Sequence, residues 1–168
     1  MESTSFGSGQ TAAFVRVVLR FAVFSRDLRR MLAKHLKSTQ LNDTQFLLLF
    51  ACRETANQGI SQIDLAALVG VSPAQMSSLV EHLQSQQLLE TWRCPTDRRK
   101  QRLRLTSGGN ALLDAALAQI QPLVQEVAPE GTELASVEVA LRRFDERETE
   151  TPVAGRITPD TLPYKRAA

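Results

Sequence analysis

SPAQMSSLVEHLQSQQLLETWRCPTDRRKQRLRLTSGG, residues Ser72 to Gly109, combines three local patterns in one run. Ser72, Pro73 and Gln75 have the form of a capped helix start, because Pro at the first helical position gives up an amide that would have no partner anyway, and Ser and Gln can cap each other's amides. The helix predicted from Ser72 runs to about Gln86. Projected at helical spacing, Met76, Leu79, Val80 and Leu83 share an inward arc, while Ala74, Ser78, Glu81 and Ser85 point away, flanked by Gln75, Ser77 and His82. Leu88 to Arg93 and Gln101 to Thr106 then read as two strands, with Leu103 and Leu105 inward and Arg102 and Arg104 outward in period two. Pro95, Thr96 and Asp97 begin the loop between them.

Charge is concentrated in that ribbon. Between Arg93 and Arg104 six cations face the single carboxylate of Asp97, a balance of +5 in a chain whose net charge is only +2. A narrow hairpin with guanidinium groups at its tip suits the minor groove of duplex DNA, where negative potential is focused. Asp97 can hold Arg99 in one rotamer by a carboxylate-guanidinium pair. A small polar helix face lets the backbone approach base edges, with Gln75 able to pair with adenine and the serine hydroxyls with base or phosphate. Such a Ser/Gln face is common on exposed helices, so the hairpin carries most of the inference.

Upstream, Gly70 and Val71 are all that separates this helix from a shorter one opened by Ser61 and Asp64 and carrying Ile63, Leu65, Ala66, Leu68 and Val69. Two short helices joined so tightly form a helix-turn-helix. Asn42 and Gln45 mark another capped start, for a helix carrying Phe46, Leu48, Leu49, Phe50 and Cys52 and stopping by Gly59. Cys52 is expected to pack as a small apolar side chain.

The flanks are of another kind. From Ala12 to about Lys37, Phe14, Val17, Val18, Phe21, Phe24, Leu28, Met31, Leu32 and Leu36 mark a long amphipathic helix, whose seven cations and one carboxylate give +6. Its apolar surface exceeds what a small domain covers, so a partner helix is expected. After Thr106 comes a broad apolar helix, in which Pro122 is expected to kink the axis or end a segment. A last helix follows through Leu134, Val137, Leu141 and Phe144. Eight acids against three arginines between Glu126 and Glu150 give −5, so the two ends of the chain can attract each other.

Residues 97–109, DRRKQRLRLTSGG, resemble the wing and following strand of the MarR family, the winged helix-turn-helix regulators named for multiple antibiotic resistance. L65-A-A-L-V-G-V-S72 resembles the family's approach to its recognition helix, and L41-N-D-T-Q-F46 the start of its second helix. Two positions depart from the pattern: Gln87 stands where a Gly often closes the recognition helix, and Cys94 where the wing loop is usually acidic.

The resemblance implies a mainly α fold with a small β-hairpin, built as a DNA-binding winged helix-turn-helix lobe and a dimerisation lobe of N- and C-terminal helices. Residues 11–147 would form one domain (41–106 the winged helix-turn-helix, 11–40 and 107–147 the dimerisation helices) between tails at 1–10 and 148–168. The implied function is that of a homodimeric transcriptional regulator, a ligand-responsive repressor reading a roughly palindromic operator in double-stranded DNA. Ser72, Pro73, Ala74, Gln75, Ser77, Ser78 and His82 would face the major groove, and Asp97, Arg98, Arg99, Lys100 and Arg102 would form the basic wing. Family members often bind aromatic effectors in a cleft between the lobes, and Phe21, Phe24, Phe46 and Phe50 could line one; core packing accounts for the same four residues. Cys94 is a redox candidate, since Arg93, Arg98 and Arg99 could favour its thiolate.

The alternative is a winged helix serving as a protein-interaction module, which would bind DNA weakly and without sequence preference. No paired carboxylates, nucleophile-base arrangement or phosphate loop suggests an enzyme, and no cofactor or metal is implied. Without a leader or an apolar run of bilayer length, a cytoplasmic protein with no membrane partner is expected.

Overall fold

The computed structural model describes residues 5–56, 58–93, 101–128 and 134–141. Helix α1 (Ser5–His35) passes through a 3-10 turn (Leu36–Thr39) into α2 (Asp43–Glu54), α3 (Gln62–Val69) and α4 (Pro73–Ser85). Strands β1 (Leu89–Arg93) and β2 (Gln101–Leu105) form an antiparallel hairpin before α5 (Ser107–Val127), and residues 134–141 are helical again.

The helix starts follow the capping residues. At α2 the Asn42 side chain accepts from the Gln45 amide at 2.8 Å while Gln45 Oε1 accepts from the Asn42 amide at 3.0 Å. Ser72 and Gln75 repeat this box at α4, with Pro73 inside the first turn. Each satisfies two amides that the helix cannot. Gly70, at φ +75, ends α3, and α4 sets off at 108° to it, within the range of helix-turn-helix pairs.

Around this corner Leu36, Leu48, Leu49, Cys52, Leu65, Met76, Leu83 and Leu113 lose essentially all contact with water. Met76, Val80 and Leu83 are the inward arc of α4, as its spacing requires; Leu79 is half-buried. The core therefore lies under α4 and fixes which face of it looks out.

Strand register pairs Leu89 with Leu105 and Thr91 with Leu103. Ile60 adds a one-residue third strand, its amide donating to Leu103 O at 3.1 Å and its carbonyl accepting from the Leu103 amide at 2.8 Å. At the hairpin's foot Thr106 N donates to Leu88 O and Thr106 Oγ1 to Gln87 O. Gly109 packs against the Leu88 carbonyl where any Cβ would collide with it. This is the physical reason for a glycine in the L-T-x-x-G sequence.

Gln87 takes φ +59, the left-handed conformation, which disfavours side chains by roughly 1–2 kcal/mol. Gln87 thus holds a backbone geometry that glycine adopts more readily. Gln87→Gly is expected to raise unfolding free energy by about 0.5–1 kcal/mol, after the larger chain entropy of glycine is discounted, as read from the urea midpoint.

One expectation needs correction. Helical backbone reaches Ser5, so residues 5–10 extend α1 instead of forming a tail; once a helix is nucleated, each added residue closes another hydrogen bond even in Ser/Gly sequence. Pro122 lies within α5, which runs past it to Val127, so it does not end the segment there. The helix predicted through Ile63, Leu65, Ala66, Leu68 and Val69 forms as α3, with Leu65, Ala66 and Val69 buried and Ile63 and Leu68 exposed. Phe144 and the C-terminal segment 148–168 lie outside the described residues.

Candidate nucleic-acid interface

Ser72, Pro73, Ala74, Gln75, Ser77, Ser78 and His82 are all exposed on one side of α4. They are not equally free to read a ligand. Gln75 Oε1 already accepts from Ser72 N and Ser72 Oγ, at 3.1 and 3.0 Å, so a two-bond adenine contact by Gln75 would require opening the cap. Ser77 Oγ donates to Pro73 O and accepts from Gln62 Nε2 at 2.6 Å, bridging the two helices of the corner. Ala74, Ser78 and His82 are left as the outermost small and polar positions.

Grooves flank this face on both sides. One of about 480 Å³ separates it from the start of α2 and is lined by Asn42, Thr44, Val71, Gln75, Ser78, Leu79 and His82. The other, about 300 Å³ and more polar, lies toward the hairpin between Gln62, Ser77, Glu81, Gln84, Thr91 and Gln101. Gln84 Nε2 donates to Thr91 Oγ1 at 2.9 Å and ties the helix to β1.

The hairpin's strands hold less free positive charge than their sequence suggests. Arg102, expected to face outward, turns back and donates from Nη1 to Gly59 O at 2.9 Å, half-buried. Gly59 sits at φ +64 with Arg102 Cβ 2.8 Å from where a Cβ of its own would stand, so a side chain here would collide with Arg102. Arg104 is matched by Glu90 at 2.7 Å and lies over the Trp92 ring at 5.9 Å. The remaining wing residues Asp97, Arg98, Arg99 and Lys100, and Cys94, lie outside the described residues.

The four phenylalanines are not brought together. Phe46 is buried in the core and stacks on Phe50 with ring centroids 6.4 Å apart. Phe21 and Phe24 instead line an open apolar cavity of about 590 Å³ with Leu19, Arg20, Val23, Asp27 and Val137. Along α1, Phe14, Val17, Val18, Phe21 and Phe24 remain 41–59% exposed in the single chain, as do Leu134, Val137 and Leu141 at 41–46%.

Cys52 is fully buried, and loss of hydration pushes its thiol up to about 12. It cannot supply a thiolate near neutral pH. A pH effect follows with a definite sign: above about 9 the unfolded chain releases this proton and the folded chain keeps it. Stability is therefore expected to fall by up to about 1.4 kcal/mol per pH unit between about 9 and 12, and Cys52→Ala should remove that part of the slope in denaturation curves.

Among the described residues no single helix is long and apolar enough to cross a membrane, and no cluster of three or more His, Cys, Asp or Glu could hold a metal ion.

A corner of 108° between two short helices, a polar outward face and a hairpin packed beside it define a winged helix-turn-helix. Residues 39–100 match the model of the MarR family, so the similarity lies in the winged helix. Over 78 residues it is 37% identical to the HTH-type transcriptional repressor NicR of Pseudomonas putida, a match covering 46% of this chain and 48% of that protein. The chain thus spans about half the length of this curated relative.

Solved structures of similar fold include BldR from Sulfolobus solfataricus (TM-score 0.67, 20% identity, 80% of this chain and 96% of that one). CouR from Rhodococcus jostii bound to p-coumaroyl-CoA gives a TM-score of 0.66 at 22% identity over 82% and 93% of the two chains. A mutant MarR from E. coli complexed with operator DNA gives 0.62 at 21% identity over 84% and 99%.

Proposed function

We propose that this protein is a homodimeric, sequence-specific DNA-binding transcriptional regulator, acting as a ligand-responsive repressor in the cytoplasm. The observation that carries the reading is α4 itself: its apolar side is locked into the core by Met76, Val80 and Leu83, and Ala74, Ser78 and His82 on its polar side are exposed. A helix held this way can enter a major groove without unfolding anything. Ala74, Ser78 and His82 select sequence there, while Arg98, Arg99 and Lys100 supply salt-dependent affinity, Arg99 in the minor groove with Asp97 orienting it.

The exposed apolar sides of α1 and of 134–141 are the dimer surface in this reading, with a basic α1 facing an acidic C-terminal region. The neighbours support the pieces separately: one was solved on operator DNA and another with an aromatic acyl-CoA. An aromatic effector would act on the cavity at Phe21 and Phe24, favouring dimers whose recognition helices are wrongly spaced for DNA. Selection of binding duplexes from a random pool tests the reading. Two inverted half-sites about one helical turn apart are expected, and recovery of unrelated sequences would refute it.

A further inference from the structure

Arg29 stands apart from the other cations of α1. Arg26 and Arg30 reach only Asp27, on their own helix, and stay 66% and 72% exposed. Arg29 instead leaves its helix and spends all three guanidinium nitrogens on the reading lobe. Nε donates to Asp43 Oδ2 at 2.7 Å and Nη2 to Thr44 Oγ1 at 2.9 Å, both in the first turn of α2. Nη1 donates to Val69 O at 3.4 Å, at the last residue of α3.

The placement of these acceptors matters more than their number. Asp43 and Thr44 open α2, and the groove beside the recognition face is lined by Thr44 on one side and by Ser78 and His82 on the other. Val69 precedes the turn at Gly70, and Ser72, the cap of α4, is three residues further on. One planar side chain on the long terminal helix therefore grips the lobe at both ends of the segment that aims α4. The ion pair is partly withdrawn from water, at 35% and 24% side-chain exposure, so it is less screened than a surface pair. The guanidinium's fixed fork makes it a directional clamp, which a lysine ammonium would not be.

We propose that Arg29 is a positioning residue, which sets the angle between α1 and the helix-turn-helix and thereby the separation and twist of the two recognition helices across the dimer. This rests on the dimeric DNA-reading function proposed above. With α1 held across the two-fold axis, any rotation of the reading lobe against α1 must stretch the Asp43, Thr44 and Val69 bonds together. The clamp limits the dimer to a narrow range of half-site spacings, and loosening it lets the lobes follow a wrongly spaced site.

The test uses the full-length protein, its selected operator and versions with one base pair inserted or deleted at the centre. One base pair rotates the half-sites by roughly 34–36°. Affinities are measured for the unaltered protein, Arg29→Ala, Arg29→Lys and Arg30→Ala, the last removing the same charge without touching the clamp. For the unaltered protein and Arg30→Ala the spacing changes are expected to weaken binding by about tenfold or more, on the scale of losing base contacts in one half-site. For Arg29→Ala this spacing penalty should shrink to about threefold or less, on the same scale, with Arg29→Lys between.

A spacing penalty in Arg29→Ala equal to that of the unaltered protein, whatever its absolute affinity, would overturn the assignment. Should Arg29→Ala fail to fold, Arg29→Lys and Thr44→Val carry the test, and an unchanged penalty in both overturns it equally. If the unaltered protein selects no sequence, the DNA-reading function fails, and this shows before any variant is compared.

Discussion

Leu83→Ala is expected to lower the free energy of unfolding by about 2–5 kcal/mol and to abolish DNA binding at temperatures where the unaltered protein still binds. Leu83 is fully buried on the inward side of α4, in one core cluster with Met76 and Val80. It is the last inward side chain of α4 before Ser85, and the main chain holds it in place, since Leu88 N donates to Leu83 O at 2.9 Å. Removing the side chain empties the seat on which both α4 and the start of the hairpin rest. Urea denaturation measures the first effect, and a binding curve below the new melting temperature shows whether the helix face survives when the fold does. A change under about 1 kcal/mol would mean that the core collapses around the gap and that Leu83 does not aim the helix.

The second large effect concerns affinity and should leave stability alone. Arg99→Ala is expected to weaken binding to the selected operator by about 1–3 kcal/mol at fixed salt, roughly five- to 150-fold, with little change in melting temperature. Arg102 and Arg104 are committed to Gly59 and Glu90, so neither can lend its charge to DNA without giving up a contact. Arg104→Ala should accordingly cost much less affinity than Arg99→Ala. Equal losses from the two would mean that the hairpin acts as a diffuse positive surface.

Most of this architecture is legible in the sequence because it rests on local chemistry. Asn42 with Gln45, and Ser72 with Gln75, are capping boxes whose two partners lie three residues apart, and both form as written. Met76, Val80 and Leu83 follow from helical spacing alone. What the sequence does not disclose depends on tertiary placement. Period two puts Arg102 on the outer side of its strand, yet the carbonyl of Gly59, 43 residues away, draws it back. Ile60 cannot be recognised as a one-residue strand, because a single bridge leaves no periodic pattern.

Arg29 is the main omission from the site. On a helix face with six other cations it looks like one more solvated charge, and only the approach of α2 and α3 singles it out. The aromatic residues divide for a related reason. Four phenylalanines at helical positions carry no signal of which other helix each will meet, and Phe46 goes to the core while Phe21 and Phe24 line the open cavity. Gln87 is the converse case: it departs from the glycine of the pattern, yet the backbone takes the left-handed conformation there, at φ +59.

The most direct measurement is the ratio of affinities for the selected operator and for a scrambled duplex of equal length, taken at two salt concentrations. A sequence reader separates the two terms: both affinities fall steeply with salt, while the operator keeps an advantage of about 10³-fold or more. A ratio near one at both concentrations, with all binding lost as salt rises, would contradict sequence-specific recognition by α4 and leave only an electrostatic contact.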